Sequence, residues 1–476
     1  MEPQRISTIA GWLEGDLERG DPASPAAGVA IDSRTLRPGE IFLALAGERY
    51  DGHDYAAAAL DSGASGVVLS RPVEEVERRG GRFALIRVRD SRAALAGLAR
   101  GYRGLFEPLT IAVTGSNGKT TTKNLIGIFL ARDRETLTAP ASFNNLIGVS
   151  LTILRLSGKE RAAVFELGTN RPGEIGELAR LCRPSLAVIT NIGPAHIGRF
   201  GGLDEIAAEK GSVIGELTGE GTVFLNTDDP RTAALAGRVP GEAVGFGFFP
   251  PARVRPLDIR SSPRGVSFRA TLRGGDLPIE APLPGRHNIL NLLAALAVGD
   301  HVGVDPGAMR EAALKASLPP GRMERFNLRG FEIINDAYNA NPDSMAAALE
   351  TWLGLDCPGR RIMVSGDMNE LGEFSEAAHR GWGEKLGRSG IGTLIFVGPR
   401  SRTAAAAARG SGGTARVETV GNCSEAAELI NEVVRPGDSV LLKGSRTTAL
   451  EEIVEILRIQ NPESRSQKGK AGAGTF

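Results

Sequence analysis

The chain has 476 residues, enough for about three domains of ordinary size. Its 56 Lys+Arg balance its 56 Asp+Glu, so the basic excess of a nucleic-acid binder is missing, and no apolar run reaches the roughly 18 residues of a membrane span. Three cysteines, Cys182, Cys357 and Cys423, lie far apart without metal spacing, which argues against a disulfide framework or a zinc site and fits a reducing compartment.

The opening MEPQRISTIAGWLEGDLERGD lacks the basic-then-apolar pattern of a signal peptide, so a cytoplasmic location is expected. Residues 27–107 read as a small α/β unit. GVAIDSRTLRPGEIFLALAG gives two strands around a turn, DYAAAALDSGA a helix and SGVVLS another strand. A helix from about Ser91 to Tyr102 leads to a boundary at Glu107-Pro108. From Leu109 the pattern is strand then helix: LTIAVTG, then KTTTKNLIGIFLARD. AAVFELG and SLAVITNIG are two more short apolar runs, as buried parallel strands are. Residues 252–283 alternate apolar and polar between turn residues, which predicts an antiparallel insert. NILNLLAALAVGDHVG follows as a helix, and LPPGRMERF marks a second boundary.

Strands near 331–336, 361–366, 393–398 and 438–443, with helices between them, predict a third, doubly wound unit. The expected fold is thus α/β in three domains. A small N-terminal α/β domain spans 1–107. A central domain, a P-loop-type mostly parallel sheet with the antiparallel insert, spans 108–319. A C-terminal Rossmann-like domain spans 320–460. A polar, glycine-rich tail, 461–476, is expected to be disordered.

The chemistry starts at TGSNGKTTTK, residues 114–123. A standard phosphate loop places a Gly, then four residues, before Gly-Lys-Thr, but here the first position is Val113, so the loop is shortened and Gly115 makes the turn. Backbone N–H groups and the following helix N-terminus favour anionic oxygens. Lys119 is placed to reach the β/γ-phosphates and Thr120 to sit on Mg²⁺.

The next central strand ends at Glu166, where phosphate-loop proteins hold their metal. For His196, in TNIGPAHIGRF, metal ligand and loop cap are both open. Lys210, on a helix after it, reads by itself as a solvated lysine. GRHNILN and NDAYNANPDS offer amides for an adenine edge and Asp336 for a ribose, or else turn and cap chemistry. Only nine of the 56 basic residues are lysines, so Lys119, Lys210 and Lys443 stand out as positions where arginine would not serve.

From about residue 25 to 457 the chain resembles the Mur ligases, the ATP-dependent enzymes that build the peptide stem of bacterial cell wall. The resemblance lies in TGSNGKTT, FELGTNRPGEI, NIGPAHIGRFG, GRHNILN, PGRMERF, NDAYNANPDSM, GDMNELG and KGSRTTALEEIV, in that order. The N-terminal DSR…RPGEIFLALAG…DGH resembles the uridine-nucleotide-binding domain of the two later ligases. YNANPDSM and GDMNELG are most similar to the member that adds D-Ala-D-Ala. The Asp-Asn-Pro-Arg of the ligase for the third residue is missing from the C-terminal part, Asp229-Pro230-Arg231 being central.

The resemblance implies that ATP lies on Gly115, Ser116, Asn117, Gly118, Lys119, Thr120 and Thr121. It implies Asn288 and Asn291 near adenine, Arg322 near the γ-phosphate and Asp336 near ribose. Two Mg²⁺ ions would be held by Thr120, Glu166, His196 and a carbamylated Lys210. Lys119, Lys210 and His196 would be catalytic. Ser33 and Arg34 would approach the uridine nucleotide. Asn144 and Asn145 would contact substrate, and Lys443, Ser445 and Arg446 would line the amino-substrate side.

The activity so implied is ligation of D-Ala-D-Ala to UDP-MurNAc-tripeptide through an acyl phosphate, by a monomeric bacterial cytoplasmic enzyme without nucleic-acid or membrane partners. Two other readings stay open. One is a ligase of the same family joining a different amine, as the third-residue muramyl ligase or folylpolyglutamate synthetases do. The other is a non-catalytic ATP-dependent switch on the same fold.

Overall fold

The computed structural model describes residues 1–47 and 50–460; the expected disordered tail at 461–476 lies outside the described residues. Three α/β sheets follow one another along the chain. The first has five strands in the order Asp16–Arg19, Ala84–Arg87, Gly66–Leu69, Glu40–Leu43, Gly28–Ala30. Only the edge strand Asp16–Arg19 runs antiparallel. Helix Ser91–Arg103, capped by the Asp90 side chain, buries its apolar stripe in a core shared with one face of the central sheet.

The central sheet is wholly parallel, in the order Glu242–Phe246, Thr222–Asn226, Leu186–Ile189, Leu109–Thr114, Ala162–Glu166, Thr136–Thr138. Residues alternate between its faces. Ile111 and Val113 join a core with helices Lys119–Leu130 and Arg286–His301 and with the antiparallel insert. Ala112 faces the opposite core, with Val149 and Leu178. The insert is a three-stranded meander of Pro256–Ser262, Gly265–Leu272 and Gly275–Ala281. Leu109–Thr114 comes first in sequence, and the chain builds one side of it before crossing to the other. Its carboxyl end is therefore a switch-point crevice, where open α/β sheets bind ligands.

The C-terminal sheet runs Glu324–Leu328, Phe331–Asn335, Ser439–Lys443, Arg361–Gly366, Thr393–Val397, Arg416–Val420. Only Glu324–Leu328 is antiparallel. The last strand inserts between Phe331–Asn335 and Arg361–Gly366, so the ends of these three strands gather at one edge and face the central crevice. Among the described residues no helix is long and apolar enough to cross a membrane.

Candidate active site

The central and C-terminal sheets enclose a cleft of about 1190 Å³. At its floor the chain turns sharply from strand to helix. Gly115 has φ +143° and Gly118 φ +81°. A Cβ on Gly115 would lie 1.9 Å from Thr190 Oγ1, and one on Gly118 2.3 Å from Asn291 Oδ1. Both positions therefore need glycine for conformation and for space. The loop is held from below: Ser116 Oγ donates to Gly193 O at 2.9 Å and accepts from Gly193 N at 2.8 Å. Asn191 Oδ1 accepts from Asn117 N at 2.9 Å, and Thr190 Oγ1 donates to Asn117 O at 2.6 Å.

Two lysines converge on this loop. Lys119 Nζ donates to Gly115 O at 2.8 Å and Ser116 O at 3.2 Å. Lys210, 2% exposed, donates to the same Gly115 O at 3.0 Å. Burial, then the neighbouring Lys119 charge, pushes the Lys210 amine well below the usual lysine range. Burial also lowers Lys119, against the pull of Glu166. Two ammonium groups crowded on one carbonyl leave the site short of negative charge and favour a neutral amine at position 210.

Glu166 is 1% exposed. Its Oε1 accepts from Asn144 Nδ2 at 2.8 Å, while Oε2 is buried without a hydrogen-bond partner. Lys123 lies 3.8 Å from that oxygen, fully buried, donating to Ala139 O at 2.6 Å and also to Ala141 O. Lys123 is a residue that the motif reading passed over. It ties the turn bearing Ser142 and Asn144 to the phosphate-loop helix, and Ser142 Oγ in turn lies 3.2 Å from Thr120 Oγ1. Asn145 instead caps helix Leu146–Ile153 through Gly148 N.

Asn288 and Asn291 sit on the buried face of helix Arg286–His301 and line the cleft beside Thr121. Asn291 Nδ2 donates to Asn288 Oδ1 at 3.0 Å, and Thr122 Oγ1 donates to Asn291 Oδ1 at 3.2 Å. The C-terminal sheet closes the other wall. Arg322 lies over the Tyr338 ring, 4.4 Å from its centroid, and donates to Thr120 Oγ1 at 3.2 Å. Asn341 Nδ2 donates to Asn117 Oδ1 at 2.8 Å. Glu370 Oε2 lies 2.6 Å from His196 Nδ1.

Asp336 is spent on structure as well as available to the cleft: Oδ1 accepts from Met323 N at 3.0 Å, and Oδ2 pairs with Lys443 at 2.8 Å. Lys443 donates also to Asp336 O and Asn339 O at 3.1 and 2.8 Å. All three of its N–H bonds are thus directed at the 336–339 turn. Ser445 Oγ accepts from Asn369 N at 2.9 Å. Arg446 lines the cleft and pairs with Glu451 at 2.8 Å.

Ser33 and Arg34 do not line the cleft. Arg34 is exposed and bound by Asp32, Nε to Oδ1 at 2.9 Å and Nη2 to Oδ2 at 2.7 Å, which holds the Asp32 carboxyl down at about 2. The histidine of the DGH triplet, His53, is buried in a tie of its own. Its Nδ1 lies 2.6 Å from Asp51 Oδ1, and its Nε2 accepts from Ser70 N at 3.0 Å.

Family models match three stretches of the chain: the Mur ligase family catalytic domain over 25–103, the Mur ligase middle domain over 113–299, and the Mur ligase glutamate ligase domain over 321–446. The chain belongs to the Mur ligase family. It is 34% identical over 458 residues to UDP-N-acetylmuramoyl-tripeptide–D-alanyl-D-alanine ligase of Escherichia coli (strain K12), covering 95% of this chain and 98% of that one. A crystal structure of MurF from Acinetobacter baumannii matches with TM-score 0.86 and 30% identity, over 96% of this chain and 99% of that one. The structure of MurF ligase from Thermotoga maritima in complex with ADP matches with TM-score 0.79 and 26% identity, over 92% and 98%. The cleft between the second and third Mur ligase modules is therefore the one in which the shortened phosphate loop, Lys210 and Glu166 meet.

Proposed function

We infer that this chain is an ATP-dependent ligase that joins D-Ala-D-Ala to UDP-MurNAc-tripeptide in peptidoglycan precursor synthesis, releasing ADP and phosphate. One observation carries the reading. Lys119 and Lys210 meet at a single phosphate-loop carbonyl beside the Glu166 oxygen that accepts no hydrogen bond, in a chain similar over 95% of its length to a ligase of that name.

A carboxylate resists attack by an amine because oxide is a poor leaving group. Transfer of the γ-phosphoryl group of ATP to the terminal carboxylate of the tripeptide forms a C(O)–O–P bond and frees ADP. The D-Ala-D-Ala amine then attacks the carbonyl carbon, losing a proton, and phosphate leaves. In this scheme the loop N–H groups bind the phosphates, and Lys119 turns from its own loop carbonyls onto the β/γ-oxygens. Arg322, already at Thr120, meets the transferring group. Asn288 and Asn291 face adenine, and Asp336 a ribose hydroxyl. Ser445 and Arg446 flank the incoming amine substrate, with Lys443 holding the turn beside them. Stabilisation is by position and charge, without a covalent enzyme nucleophile.

The residues present fit Mg²⁺. Glu166 Oε2 is buried and accepts no hydrogen bond, with only the Lys123 ammonium 3.8 Å away, yet among the described residues no three His, Cys, Asp or Glu side chains form a ready cation cage. Mg²⁺ characteristically takes one or two protein ligands and fills its shell with phosphate oxygens and water. Thr120, Glu166, His196 and Lys210 would hold two such ions, which supply Lewis-acid neutralisation of the phosphate charge.

We further propose that the neutral Lys210 amine takes up CO₂. An N–C bond forms, one proton leaves, and a neutral amine becomes an anion beside Lys119. The enzyme is further proposed to act as a cytoplasmic monomer. The test is ADP release with UDP-MurNAc-tripeptide, with and without D-Ala-D-Ala. Release that depends on the dipeptide and yields the amide supports the reading. Equal release with a single amino acid on a UDP-MurNAc-dipeptide would refute it.

A further inference from the structure

The segment GDMNELG, residues 366–372, takes no part in the chemistry above, yet it carries Glu370 across the cleft to His196. The segment follows strand Arg361–Gly366 of the C-terminal sheet, and His196 follows the central strand Leu186–Ile189. Glu370 Oε2 lies 2.6 Å from His196 Nδ1, and Oε1 3.5 Å from Arg199 Nη2. Nδ1 is buried without an aligned hydrogen-bond partner, so a small rotation of ring or carboxylate completes an N–H···O bond.

The backbones meet as well. Gly198 N donates to Glu370 O at 3.0 Å. A Cβ on Gly198 would fall 2.2 Å from Gly372 N, so the approach leaves no room for a side chain. His196 and Glu370 both hold left-handed backbone, φ +62° and +63°. Non-glycine residues keep that conformation where their surroundings over-determine it, often at functional sites.

A histidine that ligates metal through one ring nitrogen has the other held by a carboxylate or carbonyl, which fixes the tautomer and the ring plane. We propose that Glu370 is the positioning residue for His196: it engages Nδ1 and leaves Nε2 to a cation in the cleft. The inference rests on His196 being a metal contact. It gives the GDMNELG segment a task, because the ring is then set only while the C-terminal sheet is docked.

The test titrates Mn²⁺ into the parent protein and into H196A, E370A, E370Q and G198A, reading free Mn²⁺ by electron paramagnetic resonance. Thermal melting confirms that each variant is folded. E370A is expected to weaken Mn²⁺ about tenfold or more, the range for loss of such a partner. H196A should do the same, and the H196A/E370A double variant, titrated alongside, should be no weaker than H196A. E370Q keeps an acceptor for Nδ1–H and should recover to within about threefold of the parent. G198A touches neither side chain but blocks the approach, and should match E370A. Unchanged binding in H196A would remove the metal role of His196 and this inference with it. Loss in H196A with E370A at parental affinity would overturn the inference alone.

Discussion

Glu166→Gln tests the centre of the site, because it removes one charge while keeping shape. Glu166 is 1% and Lys123 0% exposed, their charged atoms 3.8 Å apart. Leaving one ion of a buried pair alone costs about 3–5 kcal/mol. Lys123 keeps the carbonyls of Ala139 and Ala141, so a smaller loss, about 2–3 kcal/mol, is expected at pH 7. The sign with pH follows from Lys123. Burial lowers its folded-state pKa below the ordinary lysine value, and Glu166 opposes that shift. The burial cost is therefore fully present below the folded pKa and fades as pH rises toward the unfolded one. Without Glu166 the folded pKa falls further, so the deficit of the variant is largest near neutral pH and shrinks toward pH 10. Activity should fall separately, by at least about a hundredfold, equivalent to roughly 3 kcal/mol of transition-state stabilisation. Urea midpoints at pH 7 and 10 and ADP release at saturating Mg²⁺ measure the two effects. Parental stability at pH 7 would show that the pair contributes nothing, and ligation within tenfold of the parent would exclude Glu166 as a metal contact.

Lys210→Ala should be nearly inactive, with part of the rate restored by formate; labelled bicarbonate should give a carbamate carbon signal in the parent that the variant lacks. Gly118→Ala forces alanine into φ +81° against Asn291, which costs about 1–2 kcal/mol for the backbone alone. ADP affinity by calorimetry should fall about tenfold or more while the protein stays folded, and unchanged affinity would show that the loop relaxes freely. Scattering should give a smaller radius of gyration with an ATP analogue and UDP-MurNAc-tripeptide than without them, because Ser33 and Arg34 stand outside the cleft they are expected to help complete. Identical radii would show that the free protein is already assembled.

What was legible in the sequence follows from how much burial each segment carries. LTIAVTG, AAVFELG and SLAVITNIG are continuous apolar runs because both faces of their strands are covered, and they read directly as parallel strands. Thr136–Thr138 has three residues, too few for any period. Glu242–Phe246 and Arg416–Val420 are sheet edges with exposed polar positions, and Glu324–Leu328 begins inside the proline-glycine stretch that reads as a boundary. None of these four was visible as a strand, and neither were the buried strands Ala84–Arg87 and Thr222–Asn226, so burial alone does not make a short strand legible. At the site, the loop and Glu166 could be picked out from their places at strand ends, whereas His196 stayed open between ligand and loop cap, and Lys210 was marked by the family resemblance and the scarcity of lysine. Glu370 could not, since its partner His196 is 174 positions away in the chain and only the docking of two sheets brings them together.

Lys123 is the instructive omission, because the scarcity of lysine already pointed to it. Of the seven lysines among the described residues, Lys159, Lys315 and Lys385 are exposed, while Lys119, Lys123, Lys210 and Lys443 are buried or half-buried. Each of these four directs its ammonium at backbone carbonyls: Gly115 and Ser116, Ala139 and Ala141, Gly115 again, and Asp336 and Asn339. Carbonyls converging at the end of a strand or turn present acceptors around a point, which a compact ammonium with three rotatable donors satisfies and a planar guanidinium does not. A chain that uses arginine for most of its positive charge thus keeps lysine where a turn must be held from inside. Two of the three turns so held, at 115–116 and 336–339, form the floor and the far wall of the cleft, and the third, at 139–141, positions the groups around Glu166.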